Sequence, residues 1–380
     1  MPLKKNDRRG PIDPPRSTKT PRTEKGASTI TGSDAERPAI EQILSCSERW
    51  FRDGEPGWTE GRLNRPAMTA KEAEVRRRQT VKLLRRHGKS DPAAMMLAAK
   101  LDSCRPRQRC LSLACPACRR AAQRVFVTAG EQLMKRSKRT GVTAMSVVYF
   151  DARIPDRGLA KVPSLFGRVA HYLRGALIQA GVRQAIGGFD VSANEDASLG
   201  FAPHYRPHAW LLIPTRQIER CESVFRQHFP PSATVRRPVV MQAFDGDRRG
   251  LAYALKGDFE RRISLPREVQ PDETVKRRNT RHRALLARQK LELALALDRV
   301  SLDARMLFLG LRLVNVNGEP IIRHIGPATT EPARPTRLTR EAVAEPDQQS
   351  ADRSPSRPSK ELLEKWNNIL RRDRKRQRRR

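Results

Sequence analysis

The stretch "PHYRPHAWLLIP", Pro203–Pro214, decides how the middle of this chain is read. Its later part, "RPHAWLLIP" (206–214), predicts a β-strand: an apolar run closed by Pro214, with one histidine on the strand and another just before it. On the N-terminal side, "TAMSVVYFDARI" (143–154) is β-branched and aromatic and predicts a first strand. "LFGRVAHYLRGALIQAG" (165–181) predicts an amphipathic helix stopped by Gly181, and "AIGGFDVSAN" (185–194) a second strand. "ASLGFAPHY" reads as the hairpin turn into the third. Beyond Pro214, "TRQIERCESVFRQHF" predicts a helix, "TVRRPVVMQAF" a fourth strand and "DRRGLAYALKGDFERRI" a further helix. Two strands joined directly, with helices on the other connections, predict an α+β fold, an antiparallel-centred sheet with helices on one face.

The flanks divide by composition. Residues 1–38 are polar, basic and rich in Pro, Ser and Thr, and predict a disordered basic tail. Residues 39–103 predict a helical region. Within it, Thr69 and Glu72 form a capping box, Gly88 stops that helix, and Asp91 with Pro92 opens the next. A cysteine-rich knuckle occupies 104–120, and the strand-and-helix core spans 121–270. Residues 271–325 read as a basic helical extension followed by a last helix and a hairpin with Asn-Gly at its turn. A Pro/Thr/Ser/Glu-rich linker follows over 326–358. Residues 359–380 predict a short helix running into eight basic residues in the last ten.

Charge sets the class of partner. The 380 residues carry 76 Lys+Arg against 41 Asp+Glu, a formal net charge of +35. An excess of this size is an electrostatic footprint for a polyanion, and nucleic acid is the first reading. Apolar runs such as "AMSVVYF" are too short to span a bilayer, and no charged-then-apolar leader opens the chain, so a cytoplasmic, DNA-associated protein is expected. Thiols stay reduced there, which favours metal over disulfide for a tight cysteine cluster.

That cluster is "CRPRQRCLSLACPACRR", Cys104–Arg120, spaced C-x5-C-x4-C-x2-C. The "CPAC" knuckle turns two thiolates to one centre, and Cys104 and Cys110 close a tetrahedral structural zinc site with Cys115 and Cys118. Zinc with another ligand in place of Cys104, and free buried cysteines, are the other readings. Cys46 and Cys221 lie in apolar-periodic helices and read as core. The interleaved Arg105, Arg107, Arg109, Arg119 and Arg120, with Arg206 on the third strand, are expected to face phosphate.

Downstream, "GLAYALKGDF" places Tyr253 and Lys256 one turn apart on a helix. A C-x4-C-P-x-C with basic flanks, a strand–helix–strand, a strand reading "PH-x-x-LLIP" and a helical Y-x-x-K, in that order, resemble the rolling-circle replication initiators. These are the plasmid and transposon relatives of the His-hydrophobic-His endonucleases. The resemblance covers roughly residues 100–260. It implies an HUH-type strand transferase in which a tyrosine attacks a backbone phosphate of single-stranded origin DNA, leaving a 5′-phosphotyrosine and a free 3′-hydroxyl. It also implies a divalent cation, Mg or Mn, held by two histidines and an acid, and a lysine that stabilises charge or orients the tyrosine. Carried over by position, Tyr253 matches the nucleophile, Lys256 its partner and His208 the first histidine.

The second histidine is missing: His208-Ala209-Trp210 puts an indole where a ligand is expected. A cation site would have to be rebuilt from His204, His208 and Asp190, with Glu195 in reserve. Plainer roles stand beside these: a core histidine at 208, ordinary packing at Tyr253, a strand-end cap at Asp190, and core or a base-stacking platform at Trp210. Three functions follow. One is a DNA-nicking replication initiator for a plasmid or mobile element. Another is a zinc-containing DNA-binding protein of the same descent without cleavage. The last is a basic zinc-containing RNA-binding protein. There is no G-x-x-x-x-G-K-[ST] loop, so replication would draw on a host helicase as well as a polymerase.

Overall fold

The structure is a computed structural model. It describes residues 39–52, 67–136, 141–149, 153–159, 165–197, 201–232, 235–257, 259–265 and 279–325. The two basic tails, the linker over 326–358 and the turn at 198–200 lie outside them. The described chain is α+β, with a mixed, curled sheet.

The third predicted strand starts earlier than its composition indicated. It runs His204–Pro214 (β4) and pairs antiparallel along its length with Ala185–Asp196 (β3). The register sets Gly188 opposite Trp210, Asp190 opposite His208, Ser192 opposite Arg206 and Asn194 opposite His204. Because side chains alternate at period two, all eight residues share one face of the sheet. On its other edge β4 pairs with Val142–Val148 (β1), which in turn pairs with the edge strand Val239–Ala243 (β5). The predicted strand 143–154 is divided: Ile154–Pro155 (β2) is a separate short strand against Tyr205 and His204.

The far edge of β3 differs most from expectation. Its last four residues pair in parallel with Glu260–Leu265 (β6), and its first four pair antiparallel with Met306–Leu309 (β8). The predicted helix over 247–263 is therefore two elements. Its first part, Arg248–Ala254, is a short helix (α7), and the rest is a strand that pairs on its outer side with Asn279–Ala284 (β7). "RMLFLGL" is strand rather than helix for the same reason: it completes β3's hydrogen bonds. The Asn-Gly hairpin is present. Leu311–Val316 (β9) and Glu319–His324 (β10) join through Asn317 and Gly318, both at positive φ.

Helices cover both faces, not one. Adjacent β3 residues point to opposite sides, and Phe189 stacks at 5.8 Å on Phe166, which opens the helix Gly167–Gln179 (α5). On that same side Gln289, from the helix Ala287–Asp298 (α8), donates to Glu195. On the opposite side, Gly188 meets the end of α7. Pro116–Arg136 (α4) lies behind α7 and carries it. Gln123 donates to the Ala252 carbonyl at 2.8 Å, Glu131 accepts from Arg248, and Gly130 leaves room for Leu251. The capping box at Thr69 and Glu72 and the Asp91 cap form as read, on helices Ala70–His87 (α2) and Pro92–Asp102 (α3). Cys221 is buried as expected, but Cys46, at the end of the helix Ala39–Cys46 (α1), is exposed.

Gly188 tests this packing. A Cβ there would stand 2.2 Å from the Ala254 carbonyl oxygen and 2.6 Å from Leu255 Cδ2. Gly188→Ala should cost about 1–3 kcal/mol in chemical denaturation, because backbone rather than a flexible side chain must move. Gly175→Ala, whose Cβ meets nothing, should leave the denaturation midpoint within error of wild type or raise it.

Candidate active site and cysteine clip

Between its two partners, β3 has a gap. Pairing with β8 ends at Gly188 and pairing with β6 begins at Ala193. The chain enters both neighbours beside this gap, so the residues before β6 and before β8 are delivered to it. Lys256 precedes β6 and Arg305 precedes β8. Arg305, 1% exposed, donates from Nε to the Phe189 carbonyl at 2.9 Å and from Nη2 to the Lys256 carbonyl at 3.0 Å. It satisfies a carbonyl that no strand reaches.

Asp190 sits at this gap, buried. Lys256 Nζ lies 2.7 Å from its Oδ2, His208 Nε2 3.5 Å from the same oxygen and Arg305 Nη2 4.0 Å from Oδ1. The lysine contact is an ion pair by distance without the alignment of a hydrogen bond. The Lys256 ammonium is also 5.9 Å from the Tyr253 ring centre, and that ring meets Trp210 edge-on at 6.4 Å. The fold thus brings together Tyr253, Lys256, Asp190, His208 and Trp210. Lys256 lies past the end of α7, so its approach to Tyr253 comes from the turn after the helix, not from helical spacing.

Tyr253 is 46% exposed. The chain's other three tyrosines are engaged: Tyr149 and Tyr172 stack on each other at 4.9 Å, Tyr172 also reaches His228, and Tyr205 is buried with its hydroxyl on Glu292.

The site is strongly cationic. Arg206 and Arg262 share Asp190's face, Arg262 through its pairing with Asn194. Burial, helped by Arg262, Arg305 and Arg206, pushes His208 down to about 3, so its imidazole is neutral beside Asp190. Burial also pushes Lys256 down to about 8 and Arg305 to about 9, and both remain charged at neutral pH.

His204 does not converge with His208 and Asp190. Its Nδ1 donates to the Ala202 carbonyl at 2.9 Å and its Nε2 accepts from Arg206 at 2.8 Å. Glu195 is on the opposite face, with Gln289 and Arg261. The rebuilt set of His204, His208 and Asp190 does not fit a divalent cation: one histidine is spent, Trp210 offers no ligand, and an ammonium already stands on the carboxylate.

The four clustered cysteines do fit a metal. Their sulfurs lie within 4.8 Å of one another, with separations of 3.8 Å (Cys104–Cys118), 3.7 Å (Cys110–Cys118) and 3.9 Å (Cys104–Cys115). These are far beyond a disulfide bond of about 2.05 Å. They match the edges of a tetrahedron whose centre is about 2.3 Å from each sulfur. The four thiols could hold a metal ion. Cys115 and Cys118 enter at the N-terminus of α4, where the helix dipole favours thiolate.

The arginines divide. Arg105 and Arg107 are exposed, and Arg109 stacks on Phe51 at 3.8 Å. Arg119, Arg120 and Arg206, expected to face phosphate, are buried. Arg119 donates to the Leu113 and Gly257 carbonyls and Arg120 to those of Met68 and Trp50. Arg119 thus ties the clip to the turn that carries Lys256. Arg262 and Arg305 were not singled out from sequence. The nearest signal was the alternation in "ERRISL", which the helical reading concealed. A basic groove along α2 and the turn after it is lined by Arg78, Val81, Lys82, Arg85, Arg86 and Lys89, with Asp102 also in its wall and paired with Arg85 at 2.7 Å.

No family model, curated protein or solved structure matches this chain. Among the described residues no helix is long and apolar enough to cross a membrane.

His208 gives a pH signature. Folded, it stays neutral down to about 3, whereas unfolded it takes a proton near 6.5. The unfolded state then binds the extra proton, so stability falls as pH drops below about 6.5, by up to about 1.4 kcal/mol per pH unit from this group. His204, also lowered by burial, adds in the same direction. Denaturation of wild type and His208→Asn between pH 7 and 5 should show a shallower slope in the variant. Parallel slopes would mean that His208 titrates normally.

Proposed function

We propose that this protein is a DNA-binding replication initiator of the rolling-circle type that nicks single-stranded DNA with Tyr253. One observation carries the reading. Tyr253, the most exposed of the four tyrosines, is delivered beside Lys256, Asp190, His208 and Trp210, residues that three separate elements contribute to one patch. Tyr253 Oη bonds to phosphorus and the P–O3′ bond breaks, its electron pair staying on O3′. The phenol proton passes to the solvent that Tyr253 faces, and O3′ takes one from water. The products are a 5′-phosphotyrosine and a 3′-hydroxyl that a polymerase can extend. Lys256 stabilises the charge on the phosphate. Trp210, half-buried beside the tyrosine, offers a face on which a flanking base can stack.

The net charge of +35, the groove on α2 and the exposed Arg105 and Arg107 support a nucleic-acid partner held through its phosphates. The metal in the clip is assigned as structural zinc, since four thiolates in a tetrahedron are its characteristic set. It fixes the start of α4, and α4 carries α7. A second reading, binding without cleavage, is favoured by Trp210 in the second histidine's place.

Two experiments test this. Purified protein incubated with single strands from its own origin region should give a covalent protein–DNA band in denaturing gels. Tyr253→Phe should abolish the band and retain binding. Binding without any covalent band, across strands that tile that region, would establish the second reading. Metal analysis should find about one zinc per chain, and Cys115→Ser should lower both zinc content and melting temperature. Full-length protein with Cys104, Cys110, Cys115 and Cys118 reduced and no zinc bound would rule out the metal clip.

A further inference from the structure

We propose that the phosphodiester at this site is held by Lys256 and Arg262, with Arg305 behind them, and that strand transfer here needs no divalent cation. The proposal rests on the Tyr253 reading and departs from what the family resemblance implies about metal.

The donor set is the first ground. A hard divalent cation takes about six ligands, mostly oxygens. Among the described residues Asp190 is the carboxylate paired with His208, both nitrogens of His204 are engaged, and the second histidine's place holds Trp210. The position on Asp190 Oδ2 that a cation would take has the Lys256 ammonium in it, at 2.7 Å.

Charge is the second ground. Lys256 and Arg305 stand on one carboxylate, Arg206 and Arg262 share its face of the sheet, and burial with the field of these three arginines keeps His208 neutral. A cluster with that surplus repels a divalent cation and attracts a phosphodiester, both in a low-dielectric setting that magnifies the effect.

The third ground is unmet hydrogen bonding. Among the described residues, Arg262 Nε is a buried donor without an acceptor. Buried donors left unmade cost free energy, and phosphate oxygens are the acceptor-only partner that guanidinium donors match. Arg262 is half-buried and on the face that Tyr253 closes, so it can reach a ligand. Arg305, fully enclosed against Asp190, contributes field rather than contact.

Lys256 therefore does the work otherwise given to the cation. It neutralises charge on the non-bridging oxygens as Tyr253 Oη–P forms and P–O3′ breaks, and no redox change or added co-reactant is required. Its second contact, with Asp190, holds it in place before the DNA arrives.

The covalent-band assay should be repeated in buffer stripped of metal on chelating resin, with the clip's zinc verified by metal analysis, and then with Mg²⁺ or Mn²⁺ added. The band should form at the same rate in both. Lys256→Met should slow it about a hundredfold or more in stripped buffer, and Arg262→Ala should weaken binding of the strand. Titrating Mn²⁺ into wild-type protein, followed by its electron paramagnetic resonance signal, should show no bound ion. A band that forms only with added Mg²⁺ or Mn²⁺ would overturn the proposal and leave the Tyr253 reading standing. One Mn²⁺ bound per chain, and lost in Asp190→Asn, would do the same. No band in any buffer would remove the Tyr253 reading itself.

Discussion

Everything at the candidate site follows from an unfinished edge of one strand. β3 takes two partners on the same side, β8 antiparallel at its start and β6 parallel at its end, and neither covers residues 189–192. A buried carbonyl cannot be left without a donor, so Arg305 fills the gap at Phe189. The gap also leaves Asp190 without a strand on that edge, and a buried carboxylate needs a cation. Lys256 and Arg305 are there because the chain must pass the gap on its way into each partner strand. Gly188 makes the approach possible: with no Cβ, it lets the Ala254 carbonyl rest on the sheet.

Buried guanidinium groups recur through the molecule. Arg77, Arg119, Arg120, Arg124 and Arg305 are all interior, and each donates to backbone carbonyls of loops or helix ends or, for Arg305, of the uncovered edge of β3. Part of the chain's basic excess is thus structural, supplying donors to interior carbonyls at the edges of the apolar core. Such hydrogen bonds from a charged donor contribute about 1.5–3 kcal/mol each. Net charge alone therefore overstates how many arginines face a polyanion. Arg119 and Arg120 follow directly on the cysteine knuckle and read from sequence as phosphate ligands. They are instead the struts that join the clip to the tyrosine's turn and to the N-terminal helices.

What was legible in the sequence was local. Cysteine spacing marked the clip because four thiols so close in sequence have few ways to avoid one another in space. An apolar run and Pro214 marked β4, and the capping residues marked α2 and α3. The Asn-Gly turn marked the last hairpin. Elements whose identity depends on a distant partner were not legible. "ERRISL" and "MLFL" carry no strand signal strong enough to outweigh a helical neighbourhood, and they are strands because β3 needs them. Lys256 was placed near Tyr253 for the wrong reason, helical spacing, when a turn after α7 brings it there. His204 follows the period-two rule and shares the face of His208, yet Arg206 between them takes its free nitrogen. Arg305 lies 115 residues beyond Asp190 and had no local signal at all. The paired glycines in "AIGGFD" are a further clue, since glycine inside a central strand marks a close approach of backbone.

The central claim is that Tyr253 is the atom donor that joins protein to DNA. The most direct measurement is mass spectrometry of the covalent complex after nuclease trimming and trypsin digestion. Cleavage after Arg249 and Lys256 releases Gly250–Lys256, a peptide with a single tyrosine. This peptide should carry the residual nucleotide through a phosphotyrosine bond. A nucleotide found instead on a peptide containing Tyr149, Tyr172 or Tyr205, or on a serine, would contradict it.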